Sequence, residues 1–197
     1  MLEQARIGDL ASILSAPSTS HTSTVDDAGT ACAITVSAGY GSGAMIPGTG
    51  LWLNNSLGEI ELHPGGLHAD PPGTRMLSNM APTVCRRKDG AVLAAGSPGA
   101  DRITTAMSQV LYRLMGTGAT LTDAVGAPRV HVEVFRGEPV VAAEPGVGDG
   151  PFPGLAVRRF DERSMYFGGV QAAMWDRLGG LVAAADPRRD GGTAVVS

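Results

Sequence analysis

The sequence predicts a layered α+β domain with antiparallel sheets, and three observations carry that reading. Short β-type runs fill the first half of the chain, one strongly helical segment follows, and strands return at the end. The 28 glycines and 13 prolines demand many tight turns and leave little room for a helix bundle. An apolar fraction of 43% gives the 197 residues enough core for one ordinary domain.

The elements follow in order. Residues 1–18 are weakly helical up to Leu14 and turn polar near Pro17, so they read as an arm or remnant outside the core. The hydroxyl-rich stretch S-T-S-H-T-S-T-V-D from Ser18 to Asp26 raises the question of whether one hydroxyl does chemistry. Thr30 to Ser37, T-A-C-A-I-T-V-S, is a β-type run between Gly29 and Gly39. Gly39 to Gly50 is a glycine-rich loop, and Leu51 to Asn55 ends a short strand. His63 to Thr74 is a turn-rich excursion. Ala81–Cys85 and Ala91–Ala95 form a hairpin turned at Lys88-Asp89-Gly90. The apolar positions Ile103, Met107, Val110, Leu111, Leu114 and Met115 recur at helical spacing. Thr120 to Ala127 is a second helix, capped by Thr120 or Thr122 and stopped before Pro128. Val130–Val134, Glu138–Ala143, Gly168–Met174 and Gly180–Ala185 are the remaining strands, and 144–154 is a loop.

Composition excludes several classes. The net charge is −4, and the one basic run is the short Arg86-Arg87-Lys88, which argues against a nucleic-acid partner. No apolar run approaches the ~20 residues of a membrane span. The start, M-L-E-Q-A-R-I-G-D-L, is not a signal peptide. Cys32 and Cys85 can pair or stay reduced, and two cysteines make no disulfide scaffold.

Candidate chemistry narrows quickly. His21, His63, His68 and His131 show no converging ligand set, so no metal is expected, and His63 and His68 read as solvated loop histidines. G-Y-G-S-G-A lacks the following helix of a dinucleotide site, so no cofactor is expected. Ser97 is followed by proline, a poor nucleophile elbow, and G-x-S-x-G is absent. S-P-G-A lies between a strand and the start of the best helix. Unpaired N–H groups at the positive end of a helix dipole can hold an anion or a tetrahedral oxyanion there, but on this feature alone the segment reads as an ordinary strand-to-helix turn.

Taken together, T-S-H-T-S-T-V-D-D-A-G-T at Thr19, G-Y-G-S-G, L-W-L-N-N-S-L-G-E, R-M-L-S-N-M-A-P-T, G-S-P-G-A-D-R-I, A-P-R-V-H and A-D-P-R-R-D-G resemble, in order, the small subunit of γ-glutamyltranspeptidases. The resemblance runs from Thr19 to the C-terminus. It implies an N-terminal nucleophile hydrolase, the small-subunit half of an αββα sandwich, made as a precursor that cuts itself before a threonine. Here that cut falls between Ser18 and Thr19, dividing the chain into a remnant (1–18) and a small-subunit-like domain (19–197). The freed α-amine, with a pKa near ~8, becomes the base beside the Thr19 hydroxyl.

The same resemblance implies the other roles. Gly99 and Ala100 supply oxyanion N–H groups where the family has Gly-Gly, and Ser37 assists Thr19 where the family has a threonine. Glu59 grips the substrate α-ammonium in place of an aspartate. Ser78 and Asn79 contact the α-carboxylate in place of a serine pair, and Asn55 and Ser56 line the same pocket. Asp101 and Arg102 are structural. The loop near Gly39 is shorter than the family's and lacks one asparagine contact, which leaves the substrate open. The expected activity is γ-glutamyl transfer or hydrolysis, as on glutathione. Two alternatives stand beside it: a catalytically silent binding or scaffold domain, and a related acylase for β-lactam side chains or polyglutamate. A large-subunit partner or self-association is expected, with the isolated chain inactive and its compartment undetermined, although relatives are often periplasmic or secreted.

Overall fold

A computed structural model describes residues 19–60, 62–150 and 152–196. The expected remnant, residues 1–18, lies outside the described residues. Two compact units divide the chain, one containing residues 19–20 and 36–79, the other residues 21–35 and 80–197.

Strands β1 (Thr19–Val25) and β2 (Ala31–Ser37) form a two-stranded sheet. Their connection is too short for anything but an antiparallel return. Asp26 builds the turn: its Oδ1 accepts the Thr30 N–H at 2.7 Å, its carbonyl accepts the Gly29 N–H at 3.1 Å, and Gly29 takes φ 80°. Both strands alternate strictly between half-buried and exposed positions. Residues 19, 21, 23 and 25 therefore share one face, as do 31, 33, 35 and 37. The hydroxyl-rich stretch is thus a strand whose inward positions are polar up to Val25.

The first unit is otherwise irregular. The strand expected at Leu51–Asn55 reduces to a single bridge, Met45 to Trp52. Ser42 ties this loop locally, its hydroxyl donating to the Leu53 carbonyl at 2.6 Å. Such side-chain bonds compete with ladder pairing. A 3-10 turn spans Ser56–Gly58.

The second unit holds the core. Strands β3 (Thr83–Arg86), β4 (Val92–Gly96), β8 (Gln171–Asp176) and β9 (Gly180–Ala184) make an antiparallel sheet in the order β3-β4-β8-β9. All five residues of β4 are buried, which explains its run of apolar and small side chains. Helix α1 (Arg102–Gly116) buries Ile103, Ala106, Met107 and Val110, the i, i+3, i+4, i+7 stripe of an amphipathic helix. These meet Leu93 and Ala95 of β4, Ala172 of β8 and Ala184 of β9 in one cluster. Burying each large side chain contributes about 1.5–3 kcal/mol. Met115, expected on the stripe, is 60% exposed. Twelve residues beyond Ile103, at about 100° each, it has rotated about 120° off the face. Helix α2 (Leu121–Gly126) is capped by Thr120, whose hydroxyl accepts the Asp123 N–H at 3.1 Å and donates to its carboxylate at 2.7 Å.

Strands β5 (Val130–Phe135), β6 (Glu138–Ala143) and β7 (Ala156–Arg159) form a third sheet. Its β6–β7 pair is parallel, which corrects the all-antiparallel expectation. The strand expected from Gly168 begins instead at Gln171, because Gly168 takes φ 82° and ends a 3-10 turn. No helix among the described residues is long and apolar enough to cross a membrane.

Candidate active site

The sequence-derived candidates fall into two sets, each held within its own unit. In the first unit, Thr19 opens β1 and Ser37 closes β2 on the same half-buried face. Their hydroxyls lie 3.0 Å apart. The Gly39 N–H donates to Ser37 Oγ at 3.0 Å, which anchors the Ser37 oxygen, and either hydroxyl of the Thr19–Ser37 pair can be the donor to the other.

Gly39 is also where Asn55 and Glu59 converge. A Cβ at Gly39 would stand 2.6 Å from Asn55 Oδ1 and 2.8 Å from Glu59 Oε1, and the residue has φ 62°. Only glycine admits that close polar approach. Asn55 Oδ1 accepts the Tyr40 N–H at 2.7 Å, and the Asn55 N–H donates to the Ala38 carbonyl at 3.2 Å. Asn55, Ser56 and Glu59 are all half-buried, and the Asn55 and Glu59 side chains and the Ser56 backbone nitrogen all lie against Gly39. Ser78 is exposed and Asn79 half-buried, in an irregular segment ahead of β3. His63 departs from the solvated reading: it is buried, and its Nε2 has no hydrogen-bond partner among the described residues. His68 is exposed. No group of three metal-ligating side chains converges among the described residues.

In the second unit, Gly99 and Ala100 lie just before α1. Gly99 has φ 134°, and Ala100 has φ 51°, one of three non-glycine residues in that region among the described residues. The left-handed backbone explains why glycine suits position 100. Alanine there costs about 1 kcal/mol, a modest strain. Among the described residues, no hydrogen bond takes the N–H of either Gly99 or Ala100. Their carbonyls, by contrast, accept the Arg102 and Ile103 N–H groups at 3.0 and 3.2 Å and start the helix. Two backbone donors at a helix N-terminus can hold an oxyanion. Asp101 and Arg102 pair with each other, and Arg102 Nε donates to the Tyr166 carbonyl at 3.0 Å while its guanidinium lies over the Tyr166 ring. Both contacts fit the structural role expected of them.

His21, two residues beyond Thr19, has both ring nitrogens engaged, Nδ1 with Thr35 Oγ1 at 2.7 Å and Nε2 with Ser23 Oγ at 2.8 Å. Ser23 Oγ donates onward to the Gln171 carbonyl at 3.2 Å, so His21 Nε2 carries the ring proton and Nδ1 accepts from Thr35. Burial lowers the His21 pKa and keeps the ring neutral.

The motifs A-P-R-V-H and A-D-P-R-R-D-G meet in a buried ionic cluster that sequence reasoning did not assign. Arg129 Nη2 pairs with Asp186 Oδ2 at 2.6 Å, and Arg188 pairs with both Glu144 and Asp186. Burial is the largest influence on Arg129 and lowers its pKa against the pull of Asp186. On Arg188 burial is again the largest single influence, but Glu144 and Asp186 together outweigh it and the net shift is upward. Carbonyls of Val125, Ala127 and Phe167 accept further guanidinium protons, while Arg129 Nε finds no partner among the described residues. The sequence carries little signal for it, because A-D-P-R-R-D-G reads as a polar, turn-rich ending rather than as buried residues.

A γ-glutamyltranspeptidase family model matches residues 4–196 of this chain. A glutathione hydrolase proenzyme of Pseudomonas aeruginosa is 34% identical over 129 residues, covering 59% of this chain and 23% of that protein. An acylase ACY 1 proenzyme of Pseudomonas sp. (strain SE83) is 30% identical over 183 residues, covering 91% of this chain and 32% of that protein. The chain thus spans a third or less of these relatives. The γ-glutamyltranspeptidase of Pseudomonas nitroreducens, solved in complex with L-DON, superposes with a TM-score of 0.70 at 28% identity, covering 90% of this chain and 99% of that one. With its mixed strands and helices and this match over nearly its full length, the chain belongs to the γ-glutamyltranspeptidase family.

Proposed function

We propose that this chain is the nucleophile-bearing part of an N-terminal-threonine amidohydrolase or transferase acting on γ-glutamyl amides. The observation that carries the reading is the 3.0 Å contact between Thr19 and Ser37, with Ser37 held by the Gly39 N–H. In the uncut chain the Thr19 nitrogen is an amide and cannot act as a base. Thr19 Oγ1 adds to the Ser18 carbonyl carbon, the Ser18–Thr19 C–N bond breaks, and the nitrogen leaves as a free amine. Water then hydrolyses the resulting ester, releasing residues 1–18 and restoring the hydroxyl.

The freed amine takes the Thr19 hydroxyl proton as Oγ1 attacks the substrate γ-carbonyl, and passes it to the leaving amine. Ser37, its oxygen fixed by Gly39, directs its own proton to Thr19 Oγ1 and orients it. The Gly99 and Ala100 N–H groups receive the oxyanion. The Glu59 carboxylate pairs with the substrate α-ammonium, beside Asn55 and Ser56, while Ser78 and Asn79 take the α-carboxylate. Water resolves the acyl-enzyme to glutamate, and an acceptor amine resolves it to a transfer product. A large-subunit partner completes the assembly.

The acylase likeness, which covers 91% of this chain, supports a second reading, a related acylase with a different amide substrate that does not use the Glu59 contact. Glu59→Gln separates the two. Under the γ-glutamyl reading it raises KM for γ-glutamyl p-nitroanilide at least tenfold in the assembled protein. Loss of that turnover in Thr19→Ala with no effect of Glu59→Gln would favour the acylase.

A further inference from the structure

Ser97, a poor nucleophile before its proline, is fully buried, and its side-chain hydrogen bonds go to backbone. Its Oγ donates to the Pro98 carbonyl at 2.6 Å and accepts the Gly169 N–H at 3.0 Å. The Pro98 carbonyl and the Gly99 N–H belong to the same peptide plane, and no cis bond occurs among the described residues. In a trans peptide the two groups point in opposite directions. Whatever holds the Pro98 oxygen therefore aims the Gly99 N–H.

The Gly169 side of this bond is itself anchored. Arg129 Nη1 donates to the Phe167 carbonyl at 3.0 Å, and the Val170 N–H donates to Asp186 Oδ2 at 2.7 Å. The ionic pair thus grips the chain on either side of Gly168-Gly169. Gly168 packs against the same loop: a Cβ there would stand 2.9 Å from Ser97 Oγ and 3.2 Å from the Pro98 oxygen, and a Cβ at Gly99 would stand 2.8 Å from Gly168 Cα. Backbone lies on both sides, and neither glycine has space for a side chain.

We infer that Ser97 is a positioning residue, its hydroxyl clamping the Pro98–Gly99 peptide to the Gly168-Gly169 turn so that the Gly99 N–H faces the developing oxyanion. This rests on the oxyanion role proposed for Gly99. A serine that merely satisfied buried polar groups would support the fold without controlling the donor's direction.

The test compares wild type, Ser97→Ala and Ser97→Cys as full chains labelled with 15N-glycine, with far-UV circular dichroism as the control for folding. Ser97→Ala is expected to lower the Gly99 amide order parameter from about 0.85 towards about 0.6 while Gly126 stays rigid. In the assembled protein, kcat for γ-glutamyl p-nitroanilide is expected to fall about 10- to 100-fold at unchanged KM, less than the ~10²–10³ lost when a donor is removed outright. Ser97→Cys, with a weaker donor in the same place, is expected to fall between the two and decides the matter if Ser97→Ala does not fold. An unchanged Gly99 order parameter, or a rise in KM with kcat intact, would overturn the inference. Absent wild-type turnover would refute the γ-glutamyl function, and the Gly99 order parameter would still judge Ser97.

Discussion

The His21 imidazole occupies the space that a side chain at position 96 would need: a Cβ on Gly96 would stand 2.2 Å from His21 Cε1 and 2.4 Å from Nδ1. The ring cannot swing away cheaply, because Thr35 and Ser23 hold both nitrogens. Gly96→Ala is therefore expected to destabilise by about 1–3 kcal/mol, the cost of overpacking a well-packed site. Gly126→Ala is the control. Its Cβ meets open space at the end of a helix, so it is expected to be neutral or to gain up to about 1 kcal/mol. Urea midpoints of the two variants should move in opposite directions or differ by that margin.

The Arg129–Asp186 pair makes a larger prediction. Asp186 accepts from Arg129, Arg188 and the Val170 N–H, so Asp186→Asn leaves two buried guanidinium groups short of a counter-charge. The expected loss is about 3–5 kcal/mol, the cost of breaking one side of a buried ion pair. Equilibrium urea unfolding measures it.

Ala100 tests how strain trades against entropy. Ala100→Gly relieves the left-handed strain of about 1 kcal/mol but frees the unfolded chain by a similar amount, so stability is expected to change by less than about 1 kcal/mol. Ala100→Val adds a β-branched side chain at φ 51° and is expected to cost more than either effect. Thermal unfolding of both variants separates them.

The histidines set a pH dependence. Burial lowers the pKa of His21 and of His131 below the ordinary 6.5; for His131 the nearby Asp101 and Glu133 pull upward and Arg102 adds to the lowering, with burial the largest influence. As pH falls, the unfolded chain binds these protons first. The stabilisation is fully present above pH 6.5 and is lost as pH drops through that value toward the folded pKa values. The melting temperature is expected to fall between pH 7.5 and 5.5, with a shallower slope in a His21→Gln, His131→Gln double variant. An equal slope in both proteins would contradict this origin.

The sequence made the long helix, the β3–β4 hairpin and the capped α2 legible, because each carries a local signal: apolar spacing, a Lys-Asp-Gly turn, a threonine before an apolar run. β1 was harder, since three of its four inward positions, Thr19, His21 and Ser23, are polar and only Val25 is apolar. β7, A-V-R-R, carries no alternation, and its parallel partnership with β6 depends on long-range packing that no local pattern encodes. At the candidate site, the ordered motifs nominate Thr19, Ser37, Glu59 and the Gly99-Ala100 pair through the family resemblance, not through any local pattern. The Gly168-Gly169 turn stayed hidden because its purpose is a close approach to Ser97 and Gly99, about 70 residues away in sequence.

The account's central claim is that Thr19 acts as a nucleophile freed from Ser18. Intact mass with N-terminal sequencing, after prolonged incubation at neutral pH, tests it most directly. The predicted result is a new N-terminus at Thr19 in the wild type and none in Thr19→Ala. A wild-type chain that keeps residues 1–18, or an equal loss of them in Thr19→Ala, would contradict it.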